Sequence, residues 1–434
     1  MFAQLIFVII LGAAIFLFSK NIRKISRNIK LGRNIDRSDS SSDRWMTMAK
    51  VALGQSKMVK RPIAGFLHII VYAGFVIINI EVMEIIIDGV FGTHRVFHSI
   101  GGLYNILIGG FEILALLVLL ACVVFLIRRN IIKVRRLTMA ELTSWPRTDA
   151  NLILITEILL MTAFLTMNST DHLLQIRGVG HYIQAGAFPV SSLMSGMFGG
   201  FSDSSLEMIE RSCWWFHIVG ILAFLNYLPY SKHFHILLAF PNTYYSNLQK
   251  KGKFTDMENV SREVKLMLDP AAVLPEPSDS MPQKFGAKDV KDLTWKQLMD
   301  AYSCTECGRC TSECPANQTG KLLSPRKIMM DTRDRLEEVG RGIDKNGKEY
   351  ADEKSLFSYI TEEELWACTS CNACVNACPV NIDPLSIIID MRRFLVMEES
   401  KVPTELAGMF NRIENNGAPW QFAQADRLKW AQEN

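Results

Sequence analysis

Cys304-Thr305-Glu306-Cys307-Gly308-Arg309-Cys310-Thr311-Ser312-Glu313-Cys314-Pro315 decides how the C-terminal part of this chain folds. Cys368-Thr369-Ser370-Cys371-Asn372-Ala373-Cys374-Val375-Asn376-Ala377-Cys378-Pro379 repeats its spacing. Both read C-x2-C-x2-C-x3-C-P. In that run three thiolates bind one [4Fe-4S] cluster and the fourth binds its neighbour. Cluster one then takes Cys304, Cys307, Cys310 and Cys378; cluster two takes Cys368, Cys371, Cys374 and Cys314. A disulfide framework belongs to oxidising compartments. Zinc knuckles space their cysteines as separate pairs. Neither suits four thiols packed within one short run.

Working outward, the 434 residues divide into two unlike halves. Residues 1–240 are dominated by apolar runs and are expected to form one membrane domain. Residues 241–290 read as a linker punctuated by Pro270, Pro275, Pro277 and Pro282. Residues 291–400 hold both cysteine runs, and 401–434 form a C-terminal arm. The formal net charge of +3 is too even to support nucleic-acid binding.

A helix of about 20 apolar residues crosses a bilayer. Five segments qualify: 2–19, 63–88, 99–127, 150–168 and 213–235. The first lacks the basic start and small-residue cleavage site of a signal peptide. Lys20, Arg23, Lys24 and Arg27 follow it at once, which keeps that end in the cytoplasm and points the N-terminus outward. The segment with Arg128, Arg129, Lys133, Arg135, Arg136 and Arg147 is cytoplasmic by the same rule, and 169–212 faces the other side. A Gly-rich stretch from Gly186 to Gly200 is too broken to be a sixth span. Both clusters are then expected in the cytoplasm, below an inner membrane.

All eight histidines lie in the membrane half. His68 sits near the inner face, His94 and His98 near the outer face, and His233 and His235 at the end of the fifth helix. His217 and His235 are 18 residues apart, about five turns and roughly 27 Å on one continuous helix. That phase offers one imidazole to each face: His235 with His68 at an inner b-type haem, His217 with His98 or His94 at an outer one. Pro229 can kink the helix and let His233 compete. The bland alternative is a set of polar interfacial histidines without metal. Covalent haem has no support, because C-x-x-C-H is absent.

Glu81, Glu84, Asp88, Glu112 and Glu157 interrupt the apolar runs. Acids in lipid are costly and functional by default, so they are candidates for quinone-linked proton chemistry, with Asp88 reaching the interface. Trp145, Trp214 and Trp215 read as interfacial anchors. In the polar half, helices are expected over 324–341, after Ser324-Pro325, and over 385–397, around a polar, turn-rich insert at 342–354. The small residues Gly308 and Ala373 allow close approach to a cluster. Arg309 and Lys321 are placed to tune cluster one or to face solvent. The expected fold class is all-α, a five-helix transmembrane bundle followed by an α-helical two-cluster ferredoxin domain.

Pro229-Tyr230-Ser231-Lys232-His233-Phe234-His235, with His217 earlier, resembles the haem b subunit of nitrate reductase and of membrane-bound heterodisulfide reductase. The cysteine half, with Asn411-Arg412-Ile413-Glu414-Asn415-Asn416-Gly417-Ala418-Pro419-Trp420, resembles the iron–sulfur subunit of heterodisulfide reductase. The resemblance implies a membrane electron-transfer subunit that exchanges electrons between menaquinone or another quinone, b haems and two clusters. In relatives, such a segment leads into modules with a Cys-Cys-Gly motif. This sequence contains no Cys-Cys-Gly. The resemblance therefore implies a separate cytoplasmic Cys-rich iron–sulfur or flavoprotein subunit, with residues 403–434 as its docking arm. A rival expectation is a haem-free, membrane-anchored ferredoxin relay.

Overall fold

The computed structural model describes residues 1–250, 252–269, 271 and 284–432. Pro270, Pro275, Pro277 and Pro282 lie outside the described residues. So do Lys251, the remainder of 272–283 and the last two residues of the C-terminal arm. Among the described residues the fold is all-α, with one isolated bridge between Arg33 and Thr294.

Five helices are long and apolar enough to cross a membrane: α1 (Phe2–Ile29), α2 (Pro62–Phe91), α3 (Gly102–Asn130), α4 (Trp145–Arg177) and α5 (Asp203–Tyr227). Four are longer than their apolar runs, because polar turns extend them, and α3 has the length of its run but starts three residues later. Pro62 sits at the first turn of α2, where its missing N–H costs nothing. Ser202 caps α5 by accepting the Ser205 N–H. Apolar side chains such as Leu5, Phe16, Phe66, Val76 and Leu120 remain exposed, as a lipid-facing surface requires. Inside, close approach needs small residues. A Cβ on Gly220 of α5 would sit 2.8 Å from Leu160 of α4.

α5 differs most from expectation. It begins at Asp203 rather than 213, because the apolar signal misses its polar first turns. It also ends at Tyr227, where Leu228–Tyr230, containing Pro229, forms a tight turn. A second tight turn holds Lys232–Phe234, and a new helix, α6 (His235–Tyr244), starts at His235. His217 therefore lies mid-helix rather than at its outer start. The five-turn phase between His217 and His235 does not exist, since proline removes the helical N–H and clashes with the turn before it. His98 precedes α3, in the tight turn Val96–Ile100. Trp214 is buried against Phe7, with ring centres 5.6 Å apart, rather than anchoring at an interface.

The polar half is built on α7 (Trp295–Tyr302), α8 (Pro325–Asn346) and α9 (Pro384–Met397), with α10 (Thr404–Asn416) following. α8 runs five residues beyond its expected end, into the segment read as a turn-rich insert. Packing against the cluster half starts earlier than a linker from 241 implies: Asn242, Thr243 and Ser246 are buried, and Asn242 donates to the Val380 carbonyl at 2.9 Å. One apolar core runs from Ile25 and Ile29 of α1 through Leu228 and Phe234 to Leu298, Ile328 and three of the cysteines.

Polar contacts clasp the two halves. Arg326, fully buried, donates to the Arg136 carbonyl (2.6 Å) and to Glu141 (2.7 Å). Asn28 donates to the Tyr302 hydroxyl (2.9 Å), Arg61 to Ser312 (2.6 Å) and Lys57 to the Cys378 carbonyl (3.1 Å). Breaking a buried pair strands a charge, at a cost of about 3–5 kcal/mol. Arg326→Leu should therefore loosen the junction. Hydrogen–deuterium exchange is expected to rise at Arg136–Leu142 and in the first cysteine loop, with α9 unchanged; equal protection in both proteins would refute the clasp.

Candidate functional site

The two cysteine runs fold alike, and the likeness lies in backbone rather than side-chain size. In each, the residue before the second cysteine (Glu306, Ser370) and the one after it (Gly308, Asn372) have positive φ, between 53° and 70°. Arg309 and Ala373 then open short helices. Gly308 thus corresponds to Asn372, not to Ala373. These left-handed turns point successive thiols inward and leave backbone N–H groups to receive sulfur. Ser370 N–H donates to Cys368 Sγ at 3.4 Å, and Ile382 N–H to Cys378 Sγ at 3.3 Å. Gly308 answers a second demand: a Cβ there would lie 2.5 Å from Arg326 and 2.9 Å from the Arg136 carbonyl.

The thiols of the two runs lie within electrostatic reach of one another. Burial pushes Cys310 well above its ordinary value, reinforced by Cys307, Cys304, Cys378 and Cys374. Burial, then Cys307, raises Cys378 to about 12. Burial also raises Cys368, with Cys314 and Cys371 as the neighbouring thiols. Cys378 thus lies among the thiols of the first run, and Cys314 among those of the second. Burial raises Cys304 and Cys374 as well, and thiols held protonated in this way suit polycationic iron, which takes the place of the protons. Among the described residues no three side chains converge on a single ion. A cube that binds one thiolate at each of four irons needs the wider spacing. Cys371 is exposed, whereas Cys304, Cys314, Cys374 and Cys378 are buried.

At the bundle end nearest these thiols, His68 and His235 face each other with ring centres 6.4 Å apart. Two imidazoles flanking one metal, each nitrogen about 2 Å from it, leave their ring centres about 6 Å apart. The His235 Nδ1 bonds the Lys232 carbonyl at 3.0 Å, which leaves Nε2 as the lone-pair nitrogen, the usual arrangement of a metal-binding imidazole. Burial keeps His235 neutral, lowering its value despite that bond. His68 Nδ1 is buried without a partner. His233, two residues from His235, packs on Phe224 at 5.4 Å.

His217 is buried with both nitrogens unpartnered, and its ring meets Phe164 at 5.7 Å. No second imidazole makes a ring contact with it among the described residues. His94 instead lies 3.5 Å from Asp171 and packs on His181 and Tyr182. His98 is exposed, its Nδ1 held by the Arg95 carbonyl at 2.8 Å.

Lys232 joins the two groups. Its carbonyl holds His235, and its ammonium is paired with Glu306 in the first cysteine loop and donates to the Pro146 carbonyl at 2.6 Å. Arg333 binds the other Glu306 oxygen at 2.8 Å. Burial would raise the Glu306 carboxyl; Lys232 and Arg333 outweigh it and hold the group below its ordinary range, ionised. Asp149 fixes the other side of Lys232, accepting its backbone N–H at 3.1 Å and the Ser231 hydroxyl at 2.6 Å. Arg309, expected as a tuning or surface residue, is buried. It donates to the Lys57 and Met58 carbonyls (2.8 and 3.2 Å) and stands within electrostatic reach of His68, Cys307 and Cys378. Lys321 is exposed.

Sequence reasoning missed a buried polar group at the opposite end of the bundle. Arg95 binds Asp171 (2.6 Å), Asn168 (2.9 Å) and Tyr104 (3.2 Å); Tyr104 donates to Glu84 at 2.9 Å. Glu84 also accepts the Phe97 N–H, Asp88 the Arg95 N–H, and Glu112 those of Val190 and Ser191. Three of the five expected proton carriers thus tie loops to the bundle. Glu81 keeps one carboxyl oxygen buried and unpartnered. Asp171 was the available signal: a charge past the edge of the apolar run, still inside α4.

Residues 303–382 match the family described as the 4Fe-4S dicluster domain. Across 99% of its length the chain is similar to "Probable iron-sulfur-binding oxidoreductase FadF" of Bacillus subtilis, with 28% identity over 459 residues and 61% of that relative covered. "EtfAB:quinone oxidoreductase" of Syntrophomonas wolfei is 26% identical over 457 residues, covering 99% of this chain and 59% of the relative. "Probable membrane-anchored ferredoxin" of Chromohalobacter salexigens is 32% identical over 169 residues, 35% of this chain and 25% of the relative. Shorter stretches are similar to heterodisulfide reductase subunits C and D. The chain spans about three-fifths of the length of the first two relatives. No solved structure matches.

The crossed sulfur sets lead to opposite outcomes for two single substitutions. Cys378→Ser should abolish the electron paramagnetic resonance signal of cluster one, whereas Cys314→Ser should abolish that of cluster two. If both variants lose the same signal, the crossing is wrong. Lys232→Met should leave both clusters assembled while altering the potential of the first, as redox titration would read.

Proposed function

We propose that this chain is a membrane-bound electron-transfer subunit, passing electrons between a quinone and a soluble redox partner through b-type haem and two [4Fe-4S] clusters. When bound, haem and clusters supply the one-electron carriers. The residues fix where those carriers stand. His68 and His235 would hold the inner haem, and His217, with His98 or His94, a second. Cys304, Cys307, Cys310 and Cys378 would hold cluster one; Cys368, Cys371, Cys374 and Cys314 would hold cluster two. The basic segments after α1 and α3 favour a cytoplasmic position for the cluster half and an outward N-terminus.

One observation carries this reading. Lys232 is bonded through its carbonyl to the imidazole of His235 and through its side chain to the carboxylate inside the first cysteine loop. The segments that would carry ligands for two kinds of redox centre are thereby joined at one residue. The exposure of Cys371 favours an order in which cluster two faces the soluble partner and cluster one faces the membrane. A relative whose name couples EtfAB to quinone supports a flavoprotein as that partner; heterodisulfide reductase subunits support a Cys-rich iron–sulfur protein in the same role. Its docking surface would include the cluster-two loop and the arm from 403, where Phe410, Trp420 and Trp430 are exposed.

The similarity to a membrane-anchored ferredoxin favours a second reading, a haem-free relay. A pyridine haemochrome assay on the purified chain separates the two. Protoporphyrin haem is expected, and His235→Ala should lose the inner haem while both cluster signals persist. A colourless bundle would leave the ferredoxin relay standing; unchanged haem in His235→Ala would remove the His68–His235 assignment.

A further inference from the structure

A cavity of about 880 Å³ opens where α1 leaves the membrane. Its size suits a drug-sized or cofactor-sized molecule. One wall is the end of the span itself: Ile22, half-buried, and Ile25 and Ile29, which belong to the core between the two halves. The opposite wall is aromatic, formed by Phe234, Tyr245 and Trp295, with Tyr245 and Trp295 edge to face at 5.1 Å. The roof is built rather than loose. Arg33 donates to the Leu293 carbonyl at 2.7 Å, Trp295 N–H returns a bond to the Arg33 carbonyl at 3.0 Å, and Trp295 Nε1 donates to the Ile35 carbonyl at 3.0 Å.

Ser26 and Arg37 line the cavity, and neither side chain has a hydrogen-bond partner among the described residues. A serine hydroxyl without a partner, a guanidinium that Asp39, Asp300 and Asp383 reach only electrostatically, flat rings and an isoleucine wall at the end of the span together describe a ligand that is a planar acceptor with a hydrocarbon tail. A phospholipid headgroup is a poorer match. Its phosphate would meet Asp36 beside Lys30 and Arg37, and it has no use for a wall of rings.

We infer that this cavity binds an isoprenoid quinone, its ring against Phe234, Tyr245 and Trp295 and its tail along the end of α1. The inference rests on the quinone reading above and gives it a place. Phe234 is both a wall of the cavity and the chain neighbour of His235, and it belongs to the packed core that contains Cys304, Cys314 and Cys378. A quinone here would stand beside the junction of the two halves, whereas the buried carboxylates that first suggested quinone chemistry cluster at the far end of the bundle.

The test uses the full-length protein in nanodiscs of defined phospholipid. A photoreactive azido-menaquinone analogue should label peptides 22–38, 234–245 or 295–299, and excess menaquinone should remove the label. Labelling confined to 81–112 or 203–217, or competition by added phospholipid alone, overturns the site. Ser26→Phe should plug the cavity, cut labelling about tenfold and slow reduction of the iron–sulfur centres by menaquinol, with haem and cluster spectra unchanged; Ser26→Ala, which removes one donor and leaves the space open, should weaken labelling less than Ser26→Phe does. Each quinol oxidised delivers two electrons to the protein's centres and releases two protons. If menaquinol reduces wild type and Ser26→Phe equally, the site falls and the electron-transfer reading stands. If it does not reduce the wild type, that reading falls, and the labelling map still decides the site.

Discussion

The carboxylate of Glu306, buried between Lys232 and Arg333, is the contact on which the arrangement of this protein turns. A charge in that position is costly to desolvate, and it is tolerated only because two cations and a fixed geometry compensate it. The pairing joins three elements that are distant in sequence: the broken end of the fifth membrane helix, the first cysteine loop and the long helix of the cluster half. The left-handed backbone at Glu306 is shared by Ser370 in the second run, so it belongs to the loop, and the pairing uses the direction in which that backbone sends the side chain. An apolar contact could hold the halves together equally well, but it would not set their register. A doubly paired carboxylate does.

The two ends of the bundle spend their buried polarity differently. At the cluster end, polar groups join cofactor-bearing segments: Lys232 to Glu306, Arg309 to the Lys57 and Met58 carbonyls, and Arg326 to Glu141. At the far end, Arg95, Asp171, Glu84 and Glu112 bind one another and the backbone of the loops that close the bundle. In lipid, unsatisfied backbone groups are expensive, so irregular loops at membrane depth need acceptors supplied by side chains. Most intramembrane acids here meet that need. Glu81, with its free oxygen, Glu157, and His217, with two free nitrogens, are among the groups that loop closure does not explain.

Much of the fold was legible. The spans, the all-α class and the paired cysteine runs followed from apolar length and from spacing, because both are local properties. The ends of the spans were not, since the polar turns of α4 and α5 fold as helix without contributing to an apolar run. The equivalence of Gly308 with Asn372 was hidden for a related reason. What the two loops share is a positive φ, which glycine adopts freely and asparagine tolerates, and composition does not display it.

What the sequence by itself determined was the inventory: eight thiols in two registered runs, imidazoles confined to one half, and five stretches able to cross a bilayer. These depend on residue type and on distance along the chain, and both are written in the sequence. Only the tertiary structure decided which groups meet. Pro229 broke the helix whose phase was to have aligned His217 with His235, yet His235 still faces His68, because two tight turns and a hydrogen bond to Lys232 orient it. The physical reason is that helical phase is propagated by an unbroken ladder of hydrogen bonds. Where proline interrupts that ladder, packing and buried charge settle the geometry, and they act between residues that the sequence keeps far apart.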